Sequence, residues 1–157
     1  MDLLLTGIVA GVLGTLVMDF LNHVFARTGL LLRIDMKMIG RMAAGWAQGR
    51  FIYRDPGEMK QVENELLLGY LTHYAIGLGL AVPFVLGWDL LVGGPPPPTW
   101  ALIFGVLTTV ASVFFVYPSM GLGLFGRRSS EGMRAPLSSL ANHFFFGVGM
   151  AAVVGFV

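Results

Sequence analysis

The sequence predicts an all-α membrane protein with four transmembrane helices, and three observations carry that expectation. Hydrophobic residues make up 55% of the chain and charged residues 12%, against about 25% charged in soluble domains. The mean hydropathy is +0.75. The apolar residues gather into four runs, at about 3–25, 66–88, 100–117 and 137–157, each near the ~20 residues a helix needs to cross hydrocarbon. All ten Lys and Arg fall in two stretches, 27–60 and 127–134, separating runs one and two and runs three and four. One four-helix domain, 1–157, accounts for the length, and no soluble second domain is expected.

The first run starts Met1-Asp2 without a basic n-region. Asp19 interrupts it and no small-residue cleavage site follows, so a retained helix is expected rather than a signal peptide. Gly7, Gly11, Thr15, Asp19 and His23 recur every four residues, with Gly14 and Asn22 alongside. Helical geometry stacks these into one stripe. Its small residues permit close helix contact and its polar ones require partners.

Residues 26–65 carry most of the charge. Arg33, Lys37 and Arg41 alternate by turn with Ile34, Met38, Met42 and Trp46, which predicts an amphipathic helix lying in the membrane interface, its apolar side toward lipid. Asp55-Pro56-Gly57-Glu58 offers a cap, a proline at the first helical position and an acid in the first turn. A helix is expected to start there and run through Leu66 into the membrane.

Trp88 and Asp89 mark the far end of the second run, and Pro83 sits within it. Gly93-Gly94-Pro95-Pro96-Pro97-Pro98 makes a stiff uncharged turn. Thr99 is expected to cap the third run, which Tyr117-Pro118 ends or bends, and Pro136 opens the fourth. The positive-inside rule places both basic loops in the cytoplasm and both termini on the opposite side, which is the periplasm for a bacterial inner membrane.

A repeat links the runs. His73-Tyr-Ala-Ile-Gly77-Leu-Gly79-Leu-Ala81 matches His143-Phe-Phe-Phe-Gly147-Val-Gly149-Met-Ala151, and Gly11-Val-Leu-Gly-Thr15 matches Gly105-Val-Leu-Thr-Thr109. Two helix pairs of the same orientation are expected, related by an axis along the membrane normal. Combined with the topology, this brings Asp19, His23, His73 and His143 into one layer below the cytoplasmic interface, with Asn22, Asn142 and Ser112 in reach. Gly7, Gly11, Gly77 and Gly147 are the expected helix-packing positions.

Ionisable groups within a membrane are functional candidates by default, and several readings of this layer stay open. The polar groups bind one another and hold the bundle together, as in an accessory or scaffolding subunit. Alternatively they form a site for a small ligand, proton or cation, in which case a four-span chain would be expected to form a homo-oligomer. Less favoured are a b-type haem ligated by His73 and His143, or a divalent metal held by the two histidines and an acid. No nucleophile motif suggests an enzyme. With no cysteine, thiolate sites and disulfides are excluded, and nothing points to nucleic acid. Gly121-Leu-Gly123-Leu-Phe-Gly126-Arg127-Arg128 lacks the ending of a P-loop, and reads as a cytoplasmic turn whose arginine pair meets lipid headgroups of the bilayer.

Gly14-Thr15-Leu-Val-Met18-Asp19, Gly40-Arg41, Gly49-Arg50-Phe51, Gly69-Tyr-Leu-Thr-His73-Tyr-Ala-Ile-Gly77 and Pro118-Ser-Met-Gly121-Leu-Gly123 resemble family 2938 of the domains of unknown function, small four-span proteins of bacterial inner membranes. The resemblance covers nearly the whole chain. It implies a bacterial cytoplasmic membrane and adds weight to Asp19 and His73, and it implies no activity.

Overall fold

The computed structural model describes residues 2–157 and is built from five helices, α1 (Leu3–Arg27), α2 (Met36–Ala47), α3 (Glu65–Val92), α4 (Pro98–Ser119) and α5 (Arg134–Val154). No strand occurs among the described residues. Helices α1, α3, α4 and α5 are each long and apolar enough to cross a membrane. The large apolar side chains left exposed along them, such as Phe20, Leu71 and Phe114, form the surface that lipid would cover.

Helix α1 lies between α3 and α5, α5 lies between α1 and α4, and α2 packs on α3. The stripe read on α1 explains its central place. Thr6, Gly7, Ala10, Gly11, Gly14, Thr15, Met18 and Asn22 are its buried residues. A Cβ on Gly7 or Gly11 would stand 3.0 Å from the α-carbon of Val82 or Leu78 on α3. One on Gly14 would meet the Phe146 ring of α5 at 2.9 Å. Such approaches let backbones pack directly, which replaces the missing hydrophobic drive between helices in lipid. Gly11 lies beside Gly77, and Gly105 beside Gly147.

Helices α3 and α4 meet chiefly at the proline-turn end. There Phe84 stacks on Phe104 with centroids 4.3 Å apart, and Trp88 contacts Trp100 at 5.5 Å. Toward the basic loops the two helices diverge, and α2 stands between them with Trp46 against Phe115 of α4 at 5.4 Å. Met36, Ile39 and Met42 of α2 join Tyr53, Met59 and Met120 in a second apolar cluster. The apolar side of α2 is therefore covered by protein, where the amphipathic pattern alone suggested lipid. Arg41 clasps α2 to α3 by a two-pronged bond to Glu65, at 2.7 and 3.1 Å.

Local signals were overridden in three places. Asp55 does cap a turn, accepting from the Gly57 amide at 2.7 Å, but the turn is a single 3₁₀ unit, Pro56–Glu58, and no helix continues from it. Burial of Met59 in the second cluster and the packing of Gly121 against the Asp55–Pro56 backbone turn the chain away. Helix α3 restarts at Glu65 after Asn64 in the left-handed conformation. At α4 the cap is Pro97, one turn ahead of the run's apparent start, so Thr99 lies inside the helix. Near its other end, Ser112–Val116 is wound as a π-helix and the Tyr117 amide donates to the Ser112 carbonyl. Pro118 cannot donate, and its ring would press on the carbonyl four residues back. A widened turn relieves that conflict.

Candidate functional site

Where α3 and α4 diverge, the protein encloses a half-open chamber of about 460 Å³. All five helices and the strap between α1 and α2 contribute to its lining. At the α4 edge Ala111 and Phe115 are exposed, and at the basic-loop edge Arg33 and Asp35 are exposed. Most of the lining is apolar, and the polar exceptions include His73, His143, Ser112, Ser139, Thr15 and Thr108.

His73 enters from α3. Its Nε2 lies 2.9 Å from Oδ1 of Asp19 on α1, while the Tyr74 hydroxyl donates to the other carboxylate oxygen at 3.3 Å. A carboxylate can only accept, so Nε2 carries the proton and both Asp19 oxygens have donors. The pair is partly exposed, at 12% for the His73 side chain and 21% for Asp19. His143 enters from α5 and turns back on its own helix, with Nδ1 at 2.8 Å from the Ser139 carbonyl. A carbonyl also only accepts, so this nitrogen carries the proton and Nε2 keeps its lone pair when the ring is neutral. The Ser139 hydroxyl donates to Ser112 at 2.9 Å, and the π-helical turn carries Ser112 on α4. His73 Nδ1 and His143 Nε2 have no protein partner, yet neither is sealed from solvent.

A different kind of cluster shares the chamber wall, with Leu32, Ile34, Ser138 and Asn142 in the lining and Asn22 outside it. Asn22 donates to the Leu32 carbonyl at 2.9 Å and to Oδ1 of Asn142 at 3.0 Å, and it accepts from the Ile34 amide at 3.2 Å. The Leu32 amide donates to Ser138 at 3.0 Å. One amide side chain thus pairs with the strap 32–34 as a neighbouring strand would, and ties strap, α1 and α5 together. Asn22 is thereby paired at both its nitrogen and its oxygen, while the Asn142 amide nitrogen has no protein partner.

The family model described as protein of unknown function, DUF2938, matches residues 8–157. The chain belongs to the DUF2938 family. No curated protein and no solved structure matches it.

In this DUF2938 chain the polar residues singled out in the sequence divide into two groups. Asp19 and His73 are bonded partners, Asn22 and Asn142 are bonded partners, and His143 bonds to neither Asp19 nor Asn142. His23 is exposed at the end of α1 and outside the chamber lining. Arg127 and Arg128 are exposed in the basic loop. Gly7, Gly11, Gly77 and Gly147 each face a neighbouring helix. On α2, Arg41 is held above its ordinary pKa, first by its hydrogen bond to Glu65 and further by the nearby charges of Glu65 and Asp35.

A bis-histidine haem needs a free ring nitrogen from both histidines, with the ring poised outward. His73 gives its Nε2 proton to Asp19 and His143 its Nδ1 proton to the Ser139 carbonyl, so each neutral ring keeps one free nitrogen, Nδ1 on His73 and Nε2 on His143. Among the described residues no three of His, Asp and Glu converge as a metal site. Ser138, Ser139, Tyr74 and Trp46 were not singled out from the sequence as parts of the site. Ser139 had a readable signal, standing one helical turn before His143. For the pairing of Asn22 with the strap there was none, because it depends on how a loop folds back.

Proposed function

We propose that this protein is a multi-pass protein of the bacterial inner membrane that binds an amphipathic molecule dissolved in the bilayer. The observation that carries this reading is the half-open chamber, which sets two imidazoles and a few hydroxyl and amide groups against a mostly apolar lining. A concave, mostly apolar space with a few convergent polar groups is the ordinary form of a small-molecule site. The confinement of all ten Lys and Arg to the stretches 27–60 and 127–134 supports basic loops in the cytoplasm and both termini in the periplasm. The matching contacts Gly11–Gly77 and Gly105–Gly147 support two repeated helix pairs.

The test is to purify the protein in native nanodiscs and to identify retained small molecules by mass spectrometry. The wild type is compared with the double variant His73→Gln/His143→Gln. A retained amphiphile that the double variant loses, while its helix content and melting behaviour stay unchanged, supports the reading. Equal retention by both proteins, or none by either, overturns it. A C-terminal reporter active only in the cytoplasm would reverse the topology.

The second reading is an accessory or scaffolding subunit, and a specific observation favours it. The Asn22 side chain has its hydrogen-bonding groups paired without any ligand. In that case the double histidine variant would leave retained molecules unchanged, and loss of Asn22 would release a co-purifying protein partner.

A further inference from the structure

The chamber's chemistry narrows its occupant further than amphipathic character does. The geometry points to a headgroup that is a planar ring bearing two hydroxyls, as in a lipid-soluble quinol, with its apolar tail leaving between α3 and α4; this rests on the ligand-binding reading given above.

Open groups of both kinds line the chamber: the Asn142 amide nitrogen is a donor without a protein partner, and each imidazole keeps an acceptor. His143 gives its Nδ1 proton to the Ser139 carbonyl at 2.8 Å, so Nε2 of the neutral ring is an acceptor. His73 gives its Nε2 proton to Asp19 at 2.9 Å, so Nδ1 of the neutral ring is likewise an acceptor. The two acceptors lie on different helices and line one space. They are matched by a molecule with two separated O–H donors. A phosphate headgroup would instead need cations. Arg33 is the only Lys or Arg in the lining, and both it and the acidic Asp35, also in the lining, are exposed.

The ring follows from the apolar lining near these groups. Trp46, Phe115 and Phe146 all face the chamber, and Trp46 and Phe115 are already packed together at 5.4 Å. Flat faces of this kind favour an aromatic headgroup over a branched or zwitterionic one. The Trp46 indole N–H is buried without a partner. Such buried orphans in native structures call for an explanation. The tail has an exit at the exposed edge by Ala111 and Phe115, where α3 and α4 are not packed together.

The experiment uses the full chain in nanodiscs under reducing conditions. Trp46 is left as the sole tryptophan by Trp88→Phe and Trp100→Phe, which are at the opposite end of α3 and α4. Three probes are titrated: a benzoquinol with a ten-carbon chain, its di-O-methyl ether, and a phospholipid with brominated chains. The expected result is saturable quenching of Trp46 by the quinol, with the ether binding at least about tenfold more weakly, as suits the loss of donated hydrogen bonds. His143→Phe should weaken the quinol by a similar factor and leave the ether unchanged. The ether comparison needs no chamber variant, so it stands even if His143→Phe fails to fold. Ether binding within about threefold of the quinol overturns the two-hydroxyl headgroup. Saturable quenching by the phospholipid but not the quinol also overturns it and leaves the chamber as a lipid site. Saturable quenching by none of the probes, together with no retained molecule in the native preparation, overturns the chamber reading itself.

Discussion

The two asparagines bonded to each other differ in how much each holds together, and their replacement by leucine separates them. Asn22 is 3% exposed and takes part in three hydrogen bonds, to the Leu32 carbonyl, the Ile34 amide and Asn142. Asn142, 6% exposed, takes part in only one of these. Hydrogen bonds between transmembrane elements average about 0.6 kcal/mol in measured cycles, and about 1 kcal/mol is typical in folded proteins generally. Asn22→Leu should therefore cost about 2–3 kcal/mol. It also leaves the Leu32 carbonyl and Ile34 amide unpaired, which pushes the cost toward the upper end. Asn142→Leu should cost about 1 kcal/mol or less. The assay is reversible unfolding of the detergent-solubilised protein by a denaturing detergent, with amide exchange of residues 30–35 as a local readout. Asn22→Leu should accelerate exchange of that strap strongly and Asn142→Leu little. Equal destabilisation by the two variants, or an unchanged strap in Asn22→Leu, would refute the view that Asn22 organises this cluster.

The other predictions concern packing, an orphan hydroxyl and the α2 clasp. Gly77→Ala would drive a methyl into the Thr15 hydroxyl, whereas a Cβ on Gly79 meets nothing within 4 Å. Thermal melts should thus show Gly77→Ala clearly destabilised and Gly79→Ala neutral or stabilised by up to about 1 kcal/mol from helix propensity. The Thr109 hydroxyl is buried without a partner, so Thr109→Val should raise stability by about 1 kcal/mol in the same melts. Arg41→Ala should raise amide exchange across α2, because its bonds to Glu65 are removed. Since the Arg41 pKa is raised from an already high value, this clasp is present below the unfolded arginine pKa. It would be lost only as pH rose through the higher folded one, so melts from neutral to moderately alkaline pH should not report its loosening.

The four spans were legible because lipid imposes a length and a composition that little else imitates. Asp19 with His73 was legible too, since depth could be counted along each run from the charged loops. The chamber was not. It exists because α3 and α4 part company, and that separation depends on α2, Met59, Tyr53 and Met120 filling the basic-loop end, contacts between residues far apart in sequence. The same non-local packing defeated the capping signature at Asp55. The repeat also hides a difference that only neighbours reveal. Gly149 lies against Gly14 of α1, while its counterpart Gly79 faces open space. Two segments with the same glycine spacing therefore have unlike surroundings, since α5 is packed on two sides by spans and α3 lacks α4 along much of its length.

For the ligand proposed above, the exposed edge at Ala111 and Phe115 sets how strong binding would have to be. A molecule that enters there arrives from hydrocarbon, so the site samples its concentration in the bilayer and not in water. For a solute held in lipid at roughly millimolar levels, a dissociation constant of ~1 mM, about −4 kcal/mol, already half-fills the chamber. Tighter contacts would mostly lengthen residence time. A sparse polar lining and an indole N–H without a partner are tolerable under those conditions, and exchange stays fast.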